Sequence, residues 1–528
     1  MKLSKRFLTI AVVFFLSVPA FCQVYEVWVA RYNGLTNGDD VPKAFLVDDS
    51  GNVYVTGSTY DGMACSDFLT IKYTPEGELQ WEQTYHGSGK ACDASWAIDL
   101  DNAGNVYITG TSTDSLEAMD YATLKYSPFG EVLWVRRYDD FLLEPSYDEA
   151  VDLEVDNSSF IYVTGWSPGY YGDDYLTIKY DTEGDTVWVR RFPGLSGEWP
   201  TDLAVDQSGN AYITGYRRES GAAQDFFTVK YSSSGDSLWS RIYDTPGFSI
   251  DRAHAIAVDD IENVYVTGFS TGGSSRDYAT LKYSPAGDTL WVKSFDGGYD
   301  DEAKALAVDK EGNVYVTGYS IKSGPGDYEI VTIKYAPNGD ISWIQSQDPV
   351  DGASIGWDLV LDDESNVYVT GHGSEANSNF YIILKYAYDG SLKWVKKYDG
   401  PGVDDARNIA ISKEGDLYVT GLSDGMGSRC DIVTIRYASC DESSPKAGDA
   451  NGDGSYTLSD ALAAFNFLFN KPGCSPLPDC WLSDRLCRGD WDGSGTISLV
   501  DVVRAVNYIF DKPYGGPYDP VTSVGCCP

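Results

Sequence analysis

Basic residues are scarce in this sequence. Its 528 residues include 39 Lys and Arg against 79 Asp and Glu, which gives a formal net charge of −40. A surface of that sign repels phosphate backbones and anionic lipid headgroups, so we expect no nucleic-acid partner. The same charge favours cations. With 43% apolar residues, the chain still has enough material for a large folded core.

Histidine is rarer still. The chain has three, His86, His254 and His372, each in a different part of the sequence. General acid–base catalysis uses histidine most often, so a chain with three scattered histidines offers few candidates for it. The sequence therefore nominates no catalytic residue and favours a protein that is not an enzyme.

Long apolar runs are absent after the first residues. The segment MKLSKRFLTIAVVFFLSVPAFCQ has a basic start, an apolar stretch at 7–16 and small residues near Ala20, which is typical of a secretory signal peptide over 1–22. Nothing later approaches ~18 apolar residues, so we predict a secreted, extracellular chain with no membrane span in its mature form. An uncleaved anchor is the alternative.

Cysteine is too sparse to form the main scaffold, although ten cysteines fit an oxidising destination. Removing Cys22 with the signal would leave nine, so either one thiol stays free or cleavage retains Cys22. The sequence cannot fix which.

Repetition is what the sequence has in abundance. The phrase YVTG or a close variant occurs eight times, with its tyrosines spaced by 53, 55, 50, 53, 50, 53 and 50 residues. A second phrase such as LTIKY follows each copy, a third is built on tryptophan as in VLWVRRY, and a fourth such as AIAVD precedes YVTG. Each phrase has the composition of a strand, bounded by Gly, Asp or Pro.

Four strands per repeat of about 50 residues predict an antiparallel sheet that can bury both faces only against its neighbours. We therefore predict an all-β fold, an eight-bladed β-propeller over 23–440. The Trp28 phrase comes before any other, and no tryptophan phrase follows Tyr437. The N-terminal strand is thus expected to complete the last blade, because this leaves no open edge. A stacked solenoid is the alternative.

These phrases resemble the bacterial SBBP-type β-propeller repeat over roughly residues 24–437. The resemblance implies the fold and says little about function.

Two polar positions repeat with the strands. An Asp stands six residues before the YVTG tyrosine in seven repeats, with Ser412 in the eighth, and we predict that it caps a hairpin by accepting backbone N–H bonds. A Lys or Arg stands next to the last tyrosine of each LTIKY phrase, and we interpret it as a structural ion-pair partner. These cations are Lys72, Lys125, Lys179, Lys230, Lys282, Lys334, Lys385 and Arg436.

A third position places a carboxylate before the LTIKY strand in seven repeats: Asp67, Asp120, Asp174, Asp225, Asp277, Glu329 and Asp431. It lies in the variable loop after YVTG, which opens on the same end of the propeller as the loops between blades. We call this the variable end, and the other the glycine-turn end. The variable end is the predicted binding face. Metal or sugar binding by these carboxylates is one interpretation, and simple loop capping is the other.

Cys65 and Cys92 fall in loops at the variable end and are predicted to form a disulfide, whereas Cys430 and Cys440 are too far apart along a strand to pair.

After a linker at 441–447, two loops have the pattern of calcium ligands. The first, within GDANGDGSYTLSD, supplies Asp449, Asn451, Asp453, Ser455 and Asp460. The second, DWDGSGTISLVD, supplies Asp490, Asp492, Ser494, Thr496 and Asp501. Oxygen ligands at alternate positions wrap a hard cation, so each loop is predicted to bind Ca²⁺.

The pair of loops resembles a type I dockerin, covering 448–513, with residues 514–528 as a tail. The family implies calcium binding and docking to a cohesin-like partner, often beside polysaccharide-degrading enzymes. This chain departs from the pattern in a longer, cysteine-bearing insert between the loops and in Leu458-Ser459 and Leu499-Val500 at the recognition positions. A calcium-stapled structural module is the alternative.

Two functions remain. The first is a secreted, non-catalytic binding or scaffold protein, whose propeller presents a ligand-binding face and whose tail docks it to a cohesin-like protein or a cell-surface component. The second is a carbohydrate-active enzyme, or an accessory subunit of an extracellular polysaccharide-degrading complex. We favour the first, because the repeats supply too many carboxylates to nominate a catalytic pair.

Overall fold

The computed structural model describes residues 24–438, except positions 35, 61, 63–64, 90–91, 115–117, 140–146, 195, 219–222, 246–248, 274, 325, 349–351, 376–377 and 426–428. The chain divides into two units, and the one described here is Val27–Tyr437. The predicted signal peptide, Cys440, the linker and both calcium loops lie outside the described residues.

The described chain forms 32 strands, which fall into four sets of eight. The first strands of the repeats are β2 (Asp40–Val47), β6 (Ala94–Leu100), β10 (Glu149–Val155), β14 (Glu198–Val205), β18 (Asp251–Val258), β22 (Asp301–Val308), β26 (Ser354–Leu361) and β30 (Asp404–Ile411). The second strands are β3 (Val53–Tyr60), β7 (Val106–Thr113), β11 (Ile161–Pro168), β15 (Ala211–Arg218), β19 (Val264–Ser270), β23 (Val314–Ile321), β27 (Val367–Glu375) and β31 (Leu417–Asp424).

The third strands are β4 (Ser66–Tyr73), β8 (Met119–Tyr126), β12 (Asp173–Tyr180), β16 (Gln224–Tyr231), β20 (Asp277–Tyr283), β24 (Tyr328–Tyr335), β28 (Ser378–Tyr386) and β32 (Cys430–Ala438). The fourth strands are β5 (Leu79–Tyr85), β9 (Val132–Tyr138), β13 (Thr186–Phe192), β17 (Ser237–Tyr243), β21 (Thr289–Phe295), β25 (Ile341–Gln347), β29 (Leu392–Tyr398) and, from the N-terminus, β1 (Tyr25–Tyr32).

These strands make eight four-stranded sheets, each in the order first, second, third, fourth. We number them blades 1 to 8 from β2. Blade 8 has the order β30-β31-β32-β1, which confirms that the N-terminal strand completes it. First strands of neighbouring blades contact each other around the whole ring, including β30 with β2. The fold is therefore a closed eight-bladed propeller, and the solenoid alternative is excluded.

The core lies between blades rather than inside any one of them. The second strands, such as Val53–Tyr60, are buried along almost their whole length, because each is covered by a blade on both faces. One cluster joins Tyr107 and Trp134 of blade 2 to Leu153 and Ile178 of blade 3. Fourth strands such as Leu79–Tyr85 alternate between exposed and half-buried residues, as expected for the outer edge.

A repeated latch joins each blade to the next. The indole Nε1 of Trp81 and the ammonium of Lys72, both in blade 1, donate to the carbonyl of Pro128 in blade 2, at 3.1 and 3.2 Å. Trp28 of β1 and Arg436 of β32 donate to Pro75 in the same way. Ring closure between blades 8 and 1 thus uses the tryptophan contact that also joins blades 1 to 7 in sequence, as from Trp134 to Thr182 and from Trp343 to Tyr388.

The interpretation of the repeated cations as ion-pair partners is correct only in part. Lys125 and Lys385 lie 3.9 and 3.8 Å from hairpin carboxylates. Lys72 instead bonds the Pro128 carbonyl and lies 5.0 Å from the centre of the Tyr54 ring. Burial between two blades lowers the pKa of Lys72. A carbonyl and an aromatic ring contact its ammonium there in place of a full counter-charge.

The repeated aspartates cap hairpins, as predicted. Asp259 accepts bonds from the backbone N–H groups of Ile261 and Asn263, at 3.0 and 2.8 Å. Its other oxygen accepts from the Asn263 amide and the Tyr265 hydroxyl. Each cap therefore fixes one turn and one core tyrosine together.

Two further expectations can be checked. Cys65 and Cys92 form the predicted disulfide, with their Cα atoms 4.7 Å apart, and Cys430 is a free thiol. Among the described residues, no helix has the length and apolarity to cross a membrane.

Candidate functional site

The first strands surround the axis of the propeller and begin at its variable end. Each carries a β-bulge at its third or fourth residue, as between Ala253 and Ala255. A bulge re-aims one side chain. The residues at these bulges are Lys43, Trp96, Val151, Thr201, His254, Lys304, Trp357 and Arg407. Together with their neighbours they form what we call the channel mouth.

Contacts that reach across blades show that these side chains converge on the axis. The Lys43 ammonium lies 4.2 Å from the centre of the Trp96 ring in the next blade. Burial lowers its pKa, as does the Arg407 charge in blade 8, against an attraction to Glu149 in blade 3. One lysine thus contacts a ring of the next blade and interacts with charges on two other blades.

Glu302 is the hub of an ion network at the mouth. Its side chain is 7% exposed and lies 2.8 Å from His254 Nε2 and 2.9 Å from Arg276 Nη1. Lys304 pairs with it as well, and the Tyr319 hydroxyl donates to it at 2.8 Å. Burial alone would raise the pKa of Glu302, but the contacts with His254 and Lys304 outweigh burial and hold it well below its ordinary value. The hub is a fixed negative charge.

An aromatic arc follows the same rim through blades 3 to 7. It consists of the residues that follow the glycine of each YVTG phrase: Trp166, Tyr216, Phe269, Tyr319 and His372. In blades 1, 2 and 8 that position holds Ser58, Thr111 and Leu422. The arc is therefore a departure from the repeat and not part of its frame.

Cations and a further indole cover this arc. The Arg252 and Arg276 guanidinium groups lie 4.6 and 4.8 Å from the ring centres of Tyr216 and Phe269. Trp199 stacks on Tyr216 with ring centres 5.3 Å apart. Such planar groups present flat faces together with outward-pointing hydrogen-bond donors.

His372 joins the arc to blade 8. Its Nδ1 lies 3.0 Å from Trp357 Nε1 and 2.8 Å from Asp405 Oδ1. Arg407 pairs with Asp405 and lies 4.2 Å from the Trp357 ring centre. An unprotonated Nδ1 accepts from the indole, whereas a protonated one donates to Asp405.

Deeper in the channel lie five carboxylates of the first strands: Asp99, Asp152, Glu154, Asp202 and Asp358. They keep some contact with the solvent of the channel, although protein surrounds them. Asp99 accepts from the Val155 amide and Asp358 from the Ile409 amide, each in the next blade. Sequence inspection missed this set, although an acidic residue within an otherwise apolar first strand is a usable signal.

Burial raises the pKa of these groups, to about 8 for Glu154 and about 6 for Asp99 and Asp358. The Asp358 pKa is raised further by Asp202 across the ring. Asp152 and Asp202 share a hydrogen bond, and burial with the Asp202 charge holds the pKa of Asp152 well above its ordinary value. Burial and mutual repulsion thus disfavour two negative charges on this pair.

The carboxylates that precede the LTIKY strands, which we call the junction carboxylates, lie at the rim, where blades meet. Three of them pair with an arginine of their own blade's fourth strand. Arg137 reaches Asp120 at 2.6 Å, Arg191 reaches Asp174 at 3.0 Å, and Arg31 reaches Asp431 at 2.9 Å. Each arginine also donates to a serine of the second strand: Ser112, Ser167 and Ser423.

Residues 24–438, as far as the structure describes them, do not assemble a hydrolase nucleophile. The G-x-S-x-G spacing occurs at 165–169, 268–272, 352–356 and 421–425, yet its serines are all buried: Ser167, Ser354 and Ser423 are 0% exposed and Ser270 is 4% exposed. The hydroxyls of Ser167, Ser270 and Ser423 contact Arg191, Thr245 and Arg31. A nucleophile elbow needs an exposed serine on a strand-to-helix turn, so none of the four serines fits.

A cavity of about 500 Å³ lies at the glycine-turn end, between the first hairpins of blades 6, 7 and 8. Its polar lining includes Lys310, which pairs with Asp363 at 3.3 Å. The walls are hairpin turns of the kind that every blade carries. The groups that distinguish one blade from another are concentrated at the variable end.

Three segments, 27–62, 187–216 and 296–324, match the SBBP beta-propeller repeat family. The chain is a propeller-repeat protein. An uncharacterised WD repeat-containing protein of Acanthamoeba polyphaga mimivirus is 24% identical to it over 459 residues. That match covers 72% of the propeller-repeat protein and only 29% of the relative's length.

Solved structures resemble the propeller-repeat protein at low identity. Sqt1 from Chaetomium thermophilum matches 80% of this chain and 100% of its own, with 12% identity and a TM-score of 0.46. The β-propeller domain of the Trilobed protease from Pyrococcus furiosus matches 65% and 92%, with 12% identity and a TM-score of 0.38. At these scores neither structure carries an argument about function.

Proposed function

We propose that this propeller-repeat protein is a secreted, non-catalytic binding and scaffold protein. Its ligand site is the channel mouth at the variable end. Its dockerin-like tail binds two Ca²⁺ ions and docks the propeller to a cohesin-like protein or a cell-surface component.

The aromatic arc carries the proposal. Groups that only hold blades together, such as the tryptophan latch, recur from blade 1 to blade 7 and again from blade 8 to blade 1, whereas the arc occurs in blades 3 to 7 alone. Next to it, the loop after β11 exposes Tyr170 and Tyr171 by 83% and 72%. Large exposed aromatics beside fixed charges are typical of a binding surface.

A polysaccharide is the ligand that this surface fits best. Sugar rings offer apolar C–H faces to aromatic planes and hydroxyls to charged donors and acceptors. Tyr170 and Tyr171 supply exposed aromatic planes, and the mouth beside them supplies the charged groups. The net charge of −40 favours a neutral polymer over an anionic one.

A carbohydrate-active enzyme is the second candidate, favoured only by the raised pKa of the Asp152 carboxyl beside Asp202. Glycosidase carboxyl groups stand about 5 to 9.5 Å apart, to leave room for the scissile bond or a water molecule. Asp152 and Asp202 share a hydrogen bond and are closer than that. The pair therefore suits bracing of the channel better than hydrolysis.

A glycan array tests the ligand site. We expect the mature chain to retain one polysaccharide class, and a Tyr170→Ala/Tyr171→Ala variant to lose that binding. Phe129→Ala is the control, because Phe129 is equally exposed, by 83%, in a turn at the glycine-turn end. An empty array, or equal loss in both variants, would contradict the proposal. Release of reducing sugar would favour the enzyme.

Calorimetry with calcium tests the tail. Asp449→Ala and Asp490→Ala should each remove one site from the full chain, because each loses the first ligand of its loop. The second loop should be the weaker one, since Ser494 stands where the first loop has Asp453. Unchanged calcium binding in the double variant would contradict the reading of the tail.

A further inference from the structure

Three rim junctions gather three carboxylates each, with one oxygen of every group within 4.8 Å of the others. They are Asp120, Asp139 and Asp148 after blade 2, Asp225, Asp244 and Asp251 after blade 4, and Asp277, Asp296 and Asp301 after blade 5. In each junction, one carboxylate lies at the start of a third strand, and one directly follows the fourth strand of the same blade. The last one lies at, or just before, the first strand of the following blade. Clusters of this kind repel themselves unless a positive charge lies among them.

The blade 2 junction shows how such a cluster is neutralised. Arg137, three residues after Trp134, pairs with Asp120 and donates to Ser112. After blade 4, Arg217 lies 4.0 Å from Asp225. Both junctions therefore have a basic side chain of their own.

The blade 5 junction has the same carboxylates without the arginine. Ser294 stands three residues after Trp291 and pairs with Ala279, the register position that Arg137 takes opposite Ala122. Among the described residues, no basic side chain forms an ion pair with Asp277, Asp296 or Asp301. Ser294 thus places a small hydroxyl group where blade 2 has a guanidinium group, whereas all three carboxylates are still present.

A second observation concerns Asp301 itself. The residue is 0% exposed, and its Oδ1 atom has no hydrogen-bond donor in contact geometry. Only Oδ2 has a backbone donor, the Gly297 amide. A buried carboxylate oxygen without a partner is costly. Burial raises the pKa of Asp301 to about 6; the Ser320 hydroxyl and the Gly297 amide lower it, and the neighbouring Asp277 and Asp296 raise it.

We propose that Asp277, Asp296 and Asp301 bind a calcium ion at the junction of blades 5 and 6, in the place that an arginine takes after blade 2. The three carboxylates offer up to six oxygens, and water or nearby hydroxyls complete the six to eight ligands that Ca²⁺ takes. Asp296 is exposed, so the ion can enter from the rim. The site does not depend on the proposed calcium loops of the tail.

The test uses the full mature chain carrying Asp449→Ala and Asp490→Ala, so that calcium bound by the tail does not enter the result. We expect calorimetry to show one remaining Ca²⁺ site, with a Kd on the order of 10⁻⁴ to 10⁻³ M, as in other extracellular modules. Calcium should also raise the Tm relative to chelator.

Two variants in this background identify the site. Asp296→Asn should weaken binding by about tenfold or more. Ser294→Arg should raise the Tm in chelator and abolish the response to calcium, because it restores the arginine of blade 2. Asp288→Asn, which removes the same charge from the exposed turn at the other end of blade 5, should change neither property.

The proposal fails if the background protein shows no saturable calcium binding. It fails equally if Asp296→Asn binds calcium as tightly as Asp288→Asn does. Either result leaves the calcium loops of the tail and the channel mouth untouched, because neither was varied between the compared proteins.

Discussion

At the scale of single residues, the chain uses carboxylates for two opposed purposes. Hairpin aspartates such as Asp259 are surrounded by donors, which stabilise their charge. Channel carboxylates such as Glu154 have few donors and much protein around them, so burial raises their pKa. The first kind ties turns and core tyrosines together, whereas the second kind destabilises the fold when it is charged.

The stability of the propeller should therefore fall as pH rises from about 5 to 8. A carboxyl whose folded pKa is above its unfolded pKa binds more protons when folded, so raising pH through that interval favours unfolding. For Glu154 the interval runs from the ordinary value of 4.5 to about 8. Glu154→Gln should flatten the decline in Tm over this range, whereas Glu76→Gln, on an exposed turn, should not. A Tm that rises over the same range in the parent protein would contradict the argument.

At the scale of elements, one glycine in the turn before the fourth strand of blades 1 to 7 meets two requirements. It adopts a positive φ, and it leaves room for the tryptophan of the preceding blade. Gly390 has a φ of +84°, and a Cβ placed there would lie 2.7 Å from the Trp343 ring of the preceding blade. The pattern of strand phrases bounded by glycine indicated the turn. It could not show that the tryptophan packed on a glycine belongs to the neighbouring blade, because that contact depends on how sheets are arranged around the axis.

Two glycine variants separate these demands. Gly415 has the same φ of +84°, but a Cβ there would meet nothing within 4 Å. Gly415→Ala should cost only the backbone strain, about 1 to 2 kcal/mol. Gly390→Ala should cost about 1 to 3 kcal/mol more, since the methyl group also overlaps the indole. Denaturant unfolding measures the difference, and equal costs would show that the indole moves aside freely.

At the scale of the whole molecule, strand phrases and their order were enough to predict eight blades and the closing strand. The channel mouth was beyond the reach of the sequence, because residues such as Lys43, Glu149 and Arg407 are far apart in the chain and meet only once the ring closes. Repetition reveals the frame of such a protein. Positions where the repeat fails, such as the arc and Ser294, carry what is particular to this one.

Closure itself rests on a single segment. Trp28 donates to Pro75 at 2.9 Å, and Trp28, Ala30 and Tyr32 pack against the core that blades 8 and 1 share. Removing residues 24–32 from the mature chain would leave β32 as an unpaired edge and uncover that core.

We therefore expect the truncated chain to self-associate and to melt at a lower temperature than the parent, measured by analytical ultracentrifugation and calorimetry. A synthetic peptide of residues 24–33 should restore the monomer, because it supplies both the strand and the latch. The same peptide with Trp28→Ala should restore it poorly, since it pairs with the edge but cannot reach the Pro75 carbonyl. A truncated chain that stays monomeric at the parent's Tm would mean that seven complete blades and three strands close without the N-terminal strand, and that the contacts of Trp28 are incidental to the ring.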